Sequence, residues 1–165
     1  MKIGKGVEWV AHACAILALL PPKRALSKES LAEFLGVPAP YLAKQLQALS
    51  RAGIVLTHRG AKGGYRLAKS ADLISLWDIT ASVEGTAPSF RCTEVRQNGP
   101  CGASEKECVG PCHIASAFAR AEAQYRHSLG KVLLTDLVAA GANEATNSRK
   151  QGISVWLEQH ATDVA

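Results

Sequence analysis

The chain has 165 residues, 47% of them hydrophobic and only 5% aromatic, which excludes a disordered chain and predicts a mainly aliphatic core. Its formal net charge of +5 at pH 7 is uneven, with +8 in residues 1–70 and −3 in residues 71–165. A basic half joined to a mildly acidic one is the balance expected of a nucleic-acid-binding head carrying a second function.

Val7, Val10, Ala11, Cys14, Leu17 and Ala18 recur at helical spacing, so a first helix is predicted over 5–20, stopped by Pro21-Pro22. This stretch imitates a signal peptide, but Glu8 and His12 interrupt it and more basic chain follows. No apolar run approaches the ~20 residues of a membrane span. A cytoplasmic protein without a membrane partner is therefore expected. Ser27 can cap a second helix over Lys28–Leu35, ended by Gly36. Pro38 and Pro40 impose a tight turn, and a third helix follows over Tyr41–Ala52. Two short strands, Ile54–His58 and Gly64–Leu67, flank a basic glycine hairpin. Ser75 and Asp78 read as the capping box of a fourth helix through about Val83.

Residues 85–111 hold four glycines, three prolines and three cysteines, the pattern of a long loop. A fifth helix is expected from near Pro111 to about Leu129. Its Ile114, Phe118, Ala121 and Tyr125 form a coiled-coil-like seam suited to a homodimer. A short helix over Asp136–Ala140, capped by Thr135, a linker over Gly141–Gln151 and a last helical turn at 153–160 complete the reading. The fold class is mainly α with a small β-hairpin. The expected divisions are a DNA-binding domain at 1–84, a cysteine loop at 85–111, a dimerisation helix and short helix at 112–140, and a tail at 141–165.

Helix, tight turn, helix and basic hairpin is the order of a winged helix-turn-helix. A helix fits the major groove of double-stranded DNA, and its N-terminal residues meet base edges. Ala39, Pro40, Tyr41, Lys44 and Gln45 lie at that end of the third helix. The wing offers Arg59 and Lys62 to phosphates, assisted by His58. Any single one of these charges also reads as an ordinary solvated face; the assembly carries the inference. The cluster Gly60-Ala61-Lys62-Gly63-Gly64 lacks a following helix and does not read as a nucleotide cradle. No nucleophile or metalloprotease motif is present, so an enzyme is not expected.

Four of the five cysteines, Cys92, Cys101, Cys108 and Cys112, fall in one stretch, separated by eight, six and three residues. This is neither the paired spacing of a zinc ribbon nor a ferredoxin run. It leaves metal or cluster binding, with oxidisable thiols as an alternative. Cys14 reads as a small buried hydrophobe.

The stretch PAPYLAKQLQALSRAGIVLTHRGAKGGYRLAKSADLISLWDI, and CTEVRQNGPC followed by two more cysteines before a long helix, resemble iron–sulfur winged-helix regulators of the IscR, NsrR and RsrR kind. The resemblance covers roughly residues 1–140. It is closest to the RsrR type, through Val7-Glu8-Trp9 with His12 and the Cys-Thr-Glu-Val-Arg-Gln run after Phe90. It implies a homodimer holding a [2Fe–2S] cluster, with Cys92, Cys112, Glu8 and His12 as ligands, and a sensor of redox state or nitric oxide. Glu8 and His12 stand four apart, on one helix face, so both can reach one metal pair. The bland alternatives are a helix-dipole role for Glu8 and a hydrogen-bonded core histidine at position 12.

Two departures keep other sites open. Cys101 and Cys108 are additional loop cysteines, and NsrR-like relatives use three of them for a [4Fe–4S] cluster. The histidine that IscR-like relatives place three residues after the last cysteine is Ala115 here, with His113 at the wrong offset. A four-cysteine structural zinc site and a metal-free thiol sensor also remain. Trp9, between the two helix-one ligands, reads either as core packing or as a switch that repacks when the cluster changes.

Overall fold

The computed structural model describes residues 3–60 and 63–164, so the expectation for Lys62 lies outside the described residues. Helix α1 (Lys5–Leu17) buries Val7, Val10, Ala13, Cys14 and Leu17 at three- and four-residue spacing. It ends three residues earlier than expected. Leu19 and Leu20 donate to Ile16 and Leu17 in tight turn bonds, because the prolines that follow restrict the chain before them. After strand β1 (Arg24–Ala25) comes α2 (Lys28–Leu35). The Ser27 hydroxyl accepts from Ser30 N–H at 3.0 Å, and Gly36 closes the helix at φ +63°.

Helix α3 (Ala39–Arg51) starts two residues before the predicted Tyr41, since a proline in the first turn loses no helical hydrogen bond. Its Leu42, Leu46 and Leu49 are fully buried. Strands β2 (Val55–His58) and β3 (Gly64–Leu67) pair antiparallel, Val55 opposite Leu67 and His58 opposite Gly64. The Ser75–Asp78 capping box forms as predicted and opens α4 (Leu76–Glu84). Helices α1, α3 and α4 pack around one core that includes Val10, Cys14, Leu31, Leu46 and Ile79. Helix α5 (His113–Gly130) stands outside this core and buries none of its side chains fully. The predicted seam is therefore mostly open: Ile114 is 62% and Phe118 52% exposed, while Tyr125 packs edge-on against Trp77.

The C-terminal fifth departs most from expectation. Helix α6 runs over Leu134–Glu144, and Asp136, not Thr135, closes its start by accepting from Leu133 N–H at 3.1 Å. The stretch predicted as a linker contains the end of α6 and the start of α7 (Asn147–His160), where the Thr146 hydroxyl accepts from Arg149 N–H. The polar composition there belongs to exposed helix faces. The tail is not separate. Strand β4 (Thr162–Asp163) pairs antiparallel with β1, Trp156 meets Phe34 of α2 edge-on at 4.8 Å, and Leu157 and Ala161 join the core. The Arg24 guanidinium donates to the carbonyls of Ala161 and Glu158 and pairs with Asp163. Among the described residues, no helix is long and apolar enough to cross a membrane.

Candidate DNA-reading head and cysteine loop

The first turns of α3 project from the head as a DNA-reading helix must. Pro40 and Lys44 are exposed, Ala39 is half-buried, and the Tyr41 ring is 65% exposed. Gln45 is half-buried because its side chain lies over α1, where a Cβ on Gly6 would come within 2.9 Å of it. Tyr41 also leans on α1: its ring meets Trp9 edge-on at 6.5 Å. Trp9 thus packs against the core and touches the candidate base-reading end of α3. Sequence reasoning missed this contact, because nothing local to either residue reports it.

At the wing, Arg59 is exposed, as expected of a phosphate contact. His58 is half-buried and already engaged, its Nε2 accepting from Arg66 Nε at 3.0 Å. Arg66 is a wing cation that the sequence reading left out. The signal was available: with His58 opposite Gly64, residue 66 is its diagonal cross-strand neighbour on the same face.

Glu8 and His12 stand one turn apart on the exposed side of α1, away from the buried Val7, Val10 and Cys14. Burial pushes the Cys14 thiol up to about 12, which leaves it an unreactive core residue. Among the described residues, no three His, Cys, Asp or Glu side chains gather into a metal-holding group.

The loop brings Cys92 and Cys112 close enough for each to influence the other's thiol. Cys112 is the N-cap of α5. The backbone N–H groups of Ala115 and Ile114 at the start of α5, followed by Arg96 and Cys92, favour its thiolate and hold the thiol below the ordinary range. Cys92 is pulled down by the Glu94 N–H, but the Glu94 carboxylate, partial desolvation and Cys112 together push it above that range. Its Sγ donates to Glu94 Oε1 at 3.3 Å. Cys108 is half-buried nearby, within electrostatic reach of Arg96, and Cys101 is exposed in the Gly99–Gly102 turn. Cys92 also borders a mostly apolar cavity of about 450 Å³ that includes Phe90, Ala115 and Ala119.

These opposite shifts order the two thiols. A lowered pKa leaves more thiolate near neutral pH, and the thiolate is the nucleophile. In metal-free, reduced protein, iodoacetamide is expected to label Cys112 faster than Cys92, with the Cys112 rate levelling off at lower pH. Peptide mapping by mass spectrometry checks this. Equal rates would mean that the start of α5 does not favour the Cys112 thiolate in solution.

Comparison with known proteins matches residues 3–140 to the family model Rrf2, described as an iron-dependent transcriptional regulator. The chain is 31% identical over 160 residues to YffB of Lactococcus lactis, named as an HTH-type transcriptional regulator, covering 96% of this chain and 99% of that one. It is 41% identical over 90 residues to slr0846 of Synechocystis, likewise named, covering 54% of this chain and 61% of that one. Among solved structures it is similar to CymR, the global cysteine regulator of B. subtilis, with a TM-score of 0.64, 23% identity, and coverage of 85% of this chain and 98% of that one. It is also similar to T. potens IscR, with a TM-score of 0.64, 24% identity, and coverage of 91% and 96%. The two structural likenesses bear on the fold.

Proposed function

The chain belongs to the Rrf2 family of transcriptional regulators, and from that premise we propose that it is a homodimeric DNA-binding sensor of redox state or nitric oxide that holds a [2Fe–2S] cluster. The observation that carries this reading is the approach of Cys92 and Cys112, twenty positions apart in sequence, with the Cys112 thiol held below its ordinary range. Thiolate is the form that binds iron. The donor set fits such a cluster in halves. One copy offers the cysteine pair, and the exposed Glu8 and His12 of a second copy would complete it. The open apolar positions of α5, with Phe90 stacked on Phe118 at 4.5 Å, support the dimer. When bound, the cluster supplies a one-electron redox centre, and a histidine ligand raises its potential relative to an all-cysteine site.

The chain's own residues account for the coupling to DNA. Glu8 and His12, the residues that would hold the cluster from α1, flank Trp9, and Trp9 bears on Tyr41. A change in α1 then alters how α3 is presented. Two such helices must sit about one DNA turn apart, ~34 Å, to read an inverted repeat.

Anaerobic purification followed by an absorption spectrum with iron, sulfide and zinc analysis tests the proposal. The expected result is a coloured protein with ~2 iron and ~2 sulfide per cluster, whose visible bands are lost or shifted in His12→Ala while helix content is kept. About four of each would favour the [4Fe–4S] set that includes Cys101 or Cys108 and remove His12. A colourless, zinc-loaded protein would overturn the cluster. The same cysteine pair supports a second reading, a metal-free dithiol sensor, which a colourless protein with no metal and reversible loss of two thiols would establish. DNA affinity is expected to fall with salt, and Lys44→Ala and Arg59→Ala each to reduce the salt slope by about 1.

A further inference from the structure

The geometry points to Arg96 and Glu94 as a staple across the cysteine loop, positioning residues that bring Cys92 and Cys112 together before any metal arrives. The pair deepens the cluster proposal, since its value lies in preparing those two sulfurs. Its geometry does not depend on a metal.

The Arg96 fork makes contacts at both ends of the loop. Nε and one terminal nitrogen donate to Glu94 Oε2 at 3.1 and 2.8 Å. The same terminal nitrogen donates to the Gly110 carbonyl at 3.0 Å. Glu94 is two residues from Cys92, and its other oxygen accepts from the Cys92 thiol. Gly110 is two residues from Cys112. One guanidinium therefore ties the entry of the loop to its exit, immediately beside the two sulfurs. Within the loop, the Arg96 carbonyl accepts from Ala103 N–H at 2.8 Å, so the backbone at Arg96 is itself anchored.

The backbone at Glu94 agrees. Glu94 sits at φ +52°, a left-handed conformation uncommon for a residue with a side chain, and one of only two such non-glycine positions among the described residues. A strained residue persists where its surroundings over-determine it. Here the bend turns the carboxylate back toward Cys92 and presents its second oxygen to Arg96. Without the staple, closing a flexible twenty-residue loop costs entropy that metal binding would have to supply.

Arg96 has a second consequence, electrostatic rather than geometric. Its charge lies close to Cys108 and Cys112. A fixed cation beside an anionic metal–thiolate group favours the more negatively charged, reduced state. Lysine and glutamine separate the two effects. Lysine keeps the charge but lacks the planar fork. Glutamine keeps neither the charge nor the fork.

The test uses the metal-free, reduced full chain and dibromobimane, which loses one bromide to each of two thiolates and fluoresces when both have reacted. Peptide mapping gives the ratio of Cys92–Cys112 cross-link to single adduct. Arg96→Gln is expected to lower that ratio by about threefold to tenfold, the modest end reflecting a partly exposed ion pair. Glu94→Gln, which cuts the other half of the staple, is expected to do the same and serves if Arg96→Gln fails to fold. An unchanged ratio in both variants overturns the staple. In iron-loaded protein, Arg96→Gln is expected to shift the midpoint potential to more negative values and Arg96→Lys to restore it. A potential indifferent to the charge at 96 overturns the electrostatic role. Should the chain take up no iron, the cluster proposal fails while a lowered cross-link ratio still upholds the staple.

Discussion

Gly64→Ala is expected to detach the wing from the head and to weaken DNA binding with it. A Cβ on Gly64 would stand 2.5 Å from the Leu26 carbonyl oxygen and 2.7 Å from its carbon. Neither atom belongs to a flexible side chain. Both lie where Leu26 and Tyr65 exchange two backbone hydrogen bonds, at 3.0 and 2.7 Å. Those bonds hold the wing beside β1. The backbone must part to admit a methyl group, so overpacking and bridge loss combine to about 3 kcal/mol. Urea unfolding and a DNA titration check this. Gly152→Ala is the control. It sits in α7 with nothing within 4 Å of the added carbon, and is expected to stabilise by up to ~1 kcal/mol through helix propensity alone. An unchanged midpoint for Gly64→Ala would mean that the Leu26–Tyr65 bridge is not formed in solution.

Leu157→Ala is the second large effect. Leu157 is the deepest residue of α7, 8% exposed and part of the main core. Truncating a buried leucine leaves a cavity and costs about 2–4 kcal/mol. For a chain of this size the melting temperature should drop by roughly 5–10 °C. Calorimetry measures the drop, and limited proteolysis shows where the chain opens. Cleavage should appear first near Arg149 and Lys150, with α5 still protected. A melting temperature that does not move would show that α7 does not dock as described.

The head was legible in the sequence because its signals are local. Ser27 and Gly36 bracket α2, Ser75 and Asp78 close on each other three residues apart, and the leucines of α3 repeat at helical spacing. The cysteine loop was legible as a loop. Its internal arrangement was not legible, because the Arg96 contacts depend on a bend at Glu94 that no pattern announces. The tail was misread for a different reason. Strands of two residues have no periodicity to detect, and the partners of Trp156 and Asp163 are Phe34 and Arg24, more than a hundred residues away. Gly141, Asn143 and Asn147 look like linker composition until the helices they occupy are known.

The contact between Arg24 and Ala161 spans 137 residues of chain. On the ribosome, then, β1 emerges early and waits for its neighbour. Contacts so distant in sequence form slowly, since the intervening chain must be gathered first. Helices α1 to α4 can assemble while synthesis continues, because domains tend to fold as units during elongation. Phe34, however, stays uncovered, and Arg24 keeps no carbonyl to bind, until residues 156–163 have been made. A nascent chain arrested before that point should carry an exposed apolar patch on α2 and be a target for chaperones. The candidate DNA-reading head would then be the first part of this protein to take shape and among the last to be finished.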